Sequence, residues 1–266
     1  MKKQNRMVWG LFFGVSLLTA GCGQGNGGLK TALTPVDEVY KQAQTAVADG
    51  KILDAKAAYQ KIIAEHPDYK NVEQVQQELN ALNMKILFSN VETPNTIIHE
   101  VQIGDTLGKI SKQYNVTMDM LKIPNNIKGD TIRVGQKLRI WTGKFSLYAD
   151  KSQNILILKG DEAILKVYNV STGANNSTPV GTFKVTTKLE NPVWFKAGAV
   201  IPPESPDNVL GTRWLGFDIE GYGIHGTVDP DKIGQQVTAG CVRMRNEEVE
   251  ELYKIVPRRT EVTIVD

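Results

Sequence analysis

Cysteine and histidine are scarce in this chain: two of the first and three of the second among 266 residues. One of the two cysteines, Cys22, belongs to an N-terminal export segment, so Cys241 has no internal partner and a disulfide framework is excluded. A zinc site needs three or four protein ligands. His66 and His99 fall in other modules than His225 and Cys241, so neither a metal nor a cofactor is expected. Charge of one sign is missing too. With 31 basic and 29 acidic residues the net charge is +2, which gives no reason to expect nucleic acid as a partner. The apolar run Met7 to Leu18 is shorter than the roughly 20 residues of a membrane span. It follows Lys2, Lys3 and Arg6 and precedes small residues, the pattern of an export signal. What remains is long enough for one large domain or two to three small ones, and its 41% hydrophobic content suffices for packed cores.

The string Thr19-Ala20-Gly21-Cys22 resembles the lipobox of bacterial lipoproteins. That resemblance implies a signal peptide over 1–21, acylation of Cys22, and a protein exported to the cell envelope and held on a membrane by lipid. Gly23-Gln24-Gly25-Asn26-Gly27-Gly28 formally matches a dinucleotide fingerprint, but no strand precedes it. Residues 22–33 read instead as a flexible tether.

Helical spacing fills 34–89. Thr34-Pro35 starts a helix with Val36, Tyr40, Ala43 and Val47 on one face, stopped by Gly50. A second helix, Leu53 to Glu65, turns Ala55, Ala58, Tyr59, Ile62 and Ile63 inward and ends at His66-Pro67. A third carries Val72, Val75, Leu79, Leu82 and Ile86. Gly50, Ala55, Ala58, Tyr59 and Pro67 resemble a tetratricopeptide unit. One unit plus a helix is short for an array, so the segment is a packed spacer or, alternatively, a groove for a protein partner.

A polar break at 90–96 reads as a linker to a different pattern over 97–142. There a short strand (Ile98, Val101) leads into the turn Gly104-Asp105-Thr106, which caps a helix carrying Leu107, Ile110 and Tyr114. A helical piece at Met118 to Leu121 and a strand at Lys137 to Trp141 complete it. With Val116, Asn126 and Gly135-Gln136-Lys137-Leu138, this block resembles the LysM module. The resemblance implies a βααβ unit that binds N-acetylglucosamine-containing glycans between two loops. Here those are Gly104, Asp105 and Thr106, and Asn125, Asn126 and Ile127.

Over 144–266, short β-rich runs separated by turns predict a mainly-β domain: Phe145 to Tyr148, Ile155 to Leu158, Ile164 to Val170, Thr182 to Thr186, Trp214 to Ile219 and Val262 to Val265. A helix at Glu247 to Val256, capped by Asn246, interrupts them. The chain as a whole is therefore expected to be a multidomain α+β protein.

The solitary thiol lies in this last domain. Tyr222 to Thr227 reads as a strand ending in an exposed turn and Val237 to Met244 as a loop entering a strand or helix, and together they are expected to bring His225 and Cys241 near each other. A cysteine with a pKa of about 8.5 is mostly thiol at neutral pH, so attack needs a base or positive surroundings. His225 supplies the base and Arg243 a positive field. Gly240, lacking a Cβ, lets a substrate carbonyl approach, so its N–H and that of Cys241 are expected oxyanion donors.

Ile224-His225-Gly226-Thr227 followed by Gly240-Cys241-Val242-Arg243-Met244 resembles the YkuD-type L,D-transpeptidases. So do Ser171-Thr172-Gly173, Thr178 to Phe183, Asn191 to Trp194 and Asn208 to Trp214. The resemblance implies acyl transfer on peptidoglycan: Cys241 takes a tetrapeptide stem with release of D-alanine, and an amine accepts the acyl group. His225 moves the protons, the Gly226 carbonyl fixes its ring, and Arg243 meets a stem carboxylate. Where the family has Ser-His-Gly-Cys, this chain has Thr238-Ala239-Gly240-Cys241, with the Ala239 N–H still available to the oxyanion site. Thioester hydrolysis by a carboxypeptidase and non-catalytic wall binding are the competing readings.

Overall fold

The computed structural model describes residues 34–196 and 198–266. The expected signal, Cys22 and tether lie outside them. No helix among the described residues is long and apolar enough to cross a membrane. Contacts divide the chain into two units, one ending at Leu82 and one covering Asn83–Asp266.

The first unit is helical. α1 (Pro35–Ala48) opens with a capping box in which Thr34 and Asp37 satisfy each other's backbone N–H groups. It ends on Gly50, at φ +75°, whose N–H donates to Val47 O while Lys51 N–H donates to Ala46 O. Glycine adopts that left-handed conformation without a Cβ penalty, and the paired bonds satisfy the helix's last carbonyls. α2 (Ile52–Glu65) and the beginning of α3 (Val72–Leu87) bury Ala55, Tyr59, Ile62, Val75 and Leu79 with Tyr40 and Ala43. Tyr69, in the turn between them, packs edge-on against Tyr40 at 6.1 Å.

In the second unit, β1 (Thr96–Glu100) pairs antiparallel with β2 (Lys137–Trp141), from Thr96↔Trp141 to Glu100↔Lys137. α4 (Leu107–Tyr114) and α5 (Met118–Lys122) lie between them, each capped by a threonine hydroxyl: Thr106 accepts from Lys109 N–H, Thr117 from Met120 N–H. Thr96, expected in the linker, is thus the first residue of the sheet.

This small module shares a core with the β-rich domain C-terminal to it. Three residues separate β2 from β3 (Phe145–Asp150), and Trp141 stacks on Phe145 at 5.5 Å and 12°. Asn95 Nδ2 donates to Asp161 Oδ2 at 2.6 Å, and the Thr117 hydroxyl donates to Lys254 O. Buried residues from Val101 and Leu138 through Leu147, Tyr168 and Ile264 form one continuous cluster.

The remaining elements are β4 (Ile155–Gly160), β5 (Ala163–Asn169), β6 (Thr172–Gly173), β7 (Gly181–Glu190), β8 (Trp194–Lys196), β9 (Ala199–Ile201), β10 (Arg213–Phe217), β11 (Gly223–His225), β12 (Gln236–Thr238), β13 (Val242–Arg243), α6 (Asn246–Ile255) and β14 (Glu261–Val265). Eight strands form a sheet in the order β13-β11-β10-β7-β14-β3-β4-β5. β14, last in sequence, lies inside that sheet, parallel to β3 and antiparallel to β7. α6 buries Val249, Leu252 and Ile255, and Lys188 from β7 closes its end by donating to Tyr253 O and Val256 O at 2.6 and 2.7 Å. Arg259 occupies the left-handed region at φ +72°, in the turn before β14.

Candidate active site

β11 and β13 are neighbours and parallel, with Ile224 opposite Val242 and His225 opposite Arg243. Side chains alternate along a strand. His225 and Arg243 therefore share a face, and Cys241 lies two residues before Arg243, at the entry to β13. The strand expected to end at His225 is β11, and Cys241 is the residue immediately before β13, so the pairing of the two strands brings the segments that carry imidazole and thiol side by side.

The sulfur rests on the turn that leads into β11. Cys241 Sγ donates to Gly221 O at 3.4 Å, and the Gly223 N–H and the Arg243 charge favour its thiolate. Burial outweighs both and raises the thiol above its ordinary value. His225 is 3% exposed. Burial pushes it down to about 4, against the opposing pull of the Gly226 carbonyl. Its Nδ1 donates to Gly226 O at 2.7 Å, which makes Nε2 the acceptor nitrogen of the neutral ring. Trp214 from β10 stacks on the imidazole, centroids 5.9 Å apart. At rest the pair is thus a thiol and a neutral imidazole.

Stability should depend on pH through His225. Between pH 6.5 and about 4 the unfolded chain's imidazole binds a proton that the buried one refuses, so stability is complete above that window and falls on acidification through it. At about 1.4 kcal/mol per pK unit the loss is about 3 kcal/mol. Urea unfolding at pH 7 and pH 4 should show it in the native protein and not in His225→Gln; equal losses in both would refute it.

The backbone around the thiol requires two revisions. Gly240 N–H donates to Thr238 Oγ1 at 3.2 Å, and that hydroxyl donates to Cys241 O at 2.6 Å. The Gly240 amide is therefore already engaged and is not a free oxyanion donor. Its missing Cβ has another cause: φ is +132°, and a Cβ would lie 2.7 Å from the Tyr222 ring. Asn246 is not the helix cap either. Arg245 holds that position without a side-chain bond, and the Asn246 side chain instead accepts from Thr212 N–H and Thr227 N–H and donates to Thr227 O. Ala239 is exposed. The Arg243 Nε is buried with no hydrogen-bond partner. Gly221, Gly223, Thr238 and Asn246 were missed as site residues, because a residue that works through its backbone or by folding back on a loop leaves no residue-type signal.

The expected glycan loops are both formed, but several of their side chains are committed internally. Asp105 Oδ2 accepts from Gln102 N–H and bonds His99 Nε2, at 2.8 and 3.0 Å. Thr106 caps α4, and Asn125 clamps β2 through Arg139 N and O. Gly104 O accepts from Lys109 Nζ. Asn126 is exposed in a left-handed conformation, and Ile127 packs partly on the core. Asp105, Thr106 and Asn125 therefore hold the two loops in place.

A family model of the L,D-transpeptidase catalytic domain, YkuD, matches residues 144–264, and a LysM domain model matches 99–141. YqjB of Bacillus subtilis, named as an L,D-transpeptidase, is 44% identical over 123 residues, which cover 44% of this chain and 69% of that protein. YkuD of Bacillus subtilis, named likewise, is 29% identical over 175 residues, covering 63% of this chain and 98% of its own. Among solved structures, an L,D-transpeptidase from Mycobacterium tuberculosis H37Rv has a TM-score of 0.41 at 19% identity, over 50% of this chain and 63% of that one. With a mainly-β catalytic domain behind a LysM domain, the protein is a transferase of the peptidoglycan class. It belongs to the YkuD family of L,D-transpeptidases. The two domains together imply peptidoglycan as the ligand and a wall-associated, extracytoplasmic location.

Proposed function

We propose that the protein transfers peptidoglycan stem peptides through a thioester on Cys241. The observation that supports this is the parallel pairing of β11 with β13, which puts a carbonyl-oriented His225 opposite Arg243, two residues from Cys241. As Sγ attacks the stem carbonyl, Nε2 of His225 takes the thiol proton and passes it to the leaving nitrogen of D-alanine, so an S–C bond forms as a C–N bond breaks. The acceptor amine then gives its proton to His225 and displaces the sulfur. The oxyanion falls to the Cys241 N–H, assisted by Ala239 N–H as the loop adapts, with Gly240 engaged by Thr238. Arg243, with its unpaired Nε, suits a stem carboxylate.

The LysM domain supplies the glycan contact through Gly104 to Thr106 and Asn125 to Ile127, and an acylated Cys22 would hold the enzyme to the envelope membrane. The helices over 34–89 serve as a spacer or meet a protein partner. Mass spectrometry of muropeptides after incubation with the purified protein tests the reading. New links between diamino-acid side chains, made by the native protein and absent with Cys241→Ala, are expected. Shortened stems without links would mean hydrolysis, favoured by the small Ala239 where the family pattern has histidine. Unchanged muropeptides would leave only wall binding.

A further inference from the structure

We infer that Asn246 is a positioning residue for His225, acting through one peptide group. The Gly226 carbonyl that accepts from His225 Nδ1 and the Thr227 N–H that donates to Asn246 Oδ1 are the two ends of the same peptide unit, at 2.7 and 3.0 Å. A peptide is planar and its two dipoles are rigidly opposed. Gripping the N–H therefore sets the direction of the C=O, and the C=O sets the tautomer and tilt of the imidazole. Bonds in such a series also polarise one another.

The grip is specific. Asn246 Nδ2 donates to Thr227 O at 2.9 Å, so one amide holds both polar groups of the Thr227 backbone, a residue 3% exposed. Its Oδ1 also accepts from Thr212 N–H at 3.2 Å, binding in the loop before β10. Two glycines make room for it: a Cβ on Gly211 or Gly226 would stand 2.3 or 2.1 Å from Oδ1. Asn246 begins α6 yet caps nothing of its own helix. Its side chain is spent on two loops, the one after β11 and the one before β10, with Oδ1 shared between their two amides.

The inference rests on His225 being the base, and the test separates the two claims. In 15N NMR of the native protein, His225 should be the Nδ1–H tautomer with the Thr227 amide strongly protected from exchange; an Nε2–H tautomer overturns the inference without any variant. Asn246→Ala should lower kcat by about 10–100-fold, the cost typical of losing an outer partner that orients a functional histidine, with KM changed by less than about threefold and the tautomers mixed. Asn246→Asp keeps the acceptor for Thr227 N–H and should stay within about fivefold of the native kcat with the Nδ1–H tautomer kept. If Asn246→Ala does not fold, the native tautomer and the Asp variant still decide the matter. Native kcat and tautomer in Asn246→Ala overturn this inference alone, provided that His225→Gln is inactive. An active His225→Gln overturns the parent reading instead.

Discussion

His225→Gln should slow acylation of Cys241 by about 10²–10⁴-fold, and Cys241→Ala should abolish it. The size follows from the resting charge state. Burial raises the thiol and lowers the imidazole, so no thiolate–imidazolium pair is stored before substrate arrives. In the proposed mechanism the proton leaves during attack, and His225, opposite Arg243 on the neighbouring strand, is the base that takes it. Glutamine can still donate to Gly226 O and fill the slot beside Trp214, but it offers no basic nitrogen. The time course of a carbapenem adduct, followed by intact-protein mass spectrometry, reads this directly. A His225→Gln protein labelled at the native rate, with an unchanged melting temperature, would remove His225 from the mechanism. A preformed ion pair would show itself differently, as pH-independent alkylation of the thiol down to about pH 4–5.

How much of this was legible in the sequence depended on what kind of signal each residue left. Cys241 and His225 were visible because a lone thiol and a lone imidazole are rare residue types in glycine-rich turns. The Gly226 carbonyl bond expected for His225 is present at 2.7 Å. Helices with an apolar stripe and a cap, such as α1 with Thr34-Pro35 and Gly50, were likewise open to reading. What stayed hidden was long-range. β7 was expected over Thr182 to Thr186, yet it runs Gly181–Glu190 because Thr187 to Glu190 are recruited by β10, a partner some 25 residues downstream that local pattern cannot announce. Asn246 looked like a helix cap because asparagine before an apolar stripe usually is one. Only the fold reveals that Gly211 and Gly226 leave a slot for its amide. The same applies to Gly240, whose open side faces the Tyr222 ring.

Arg139→Ala should cost about 2–4 kcal/mol, the largest stability loss expected from a charged residue here. Alternation along Lys137–Trp141 points Leu138 and Ile140 inward and Arg139 to water, but every residue of the strand after Lys137 is buried and Arg139 is 3% exposed. The reason is that its second face is covered by the end of α3 and the segment after it. The guanidinium donates to Val91 O at 2.7 Å, Leu87 O at 3.1 Å and Ile86 O at 3.4 Å, so it caps the carbonyl end of that helix with a favourably placed positive charge. Burial lowers its pKa, and the charge of Glu92 opposes that shift. Ile86 O keeps donors in the Ser89 N–H and hydroxyl, whereas truncation takes the guanidinium from the buried Leu87 O and the half-buried Val91 O. Lysine should recover less than half of the loss, since one ammonium cannot span the positions that a planar fork reaches at once. Urea unfolding of the native protein, Arg139→Ala and Arg139→Lys measures both differences. A loss within about 0.5 kcal/mol, the range of ordinary surface changes, would mean that water replaces the guanidinium and that the LysM strand does not depend on this cap.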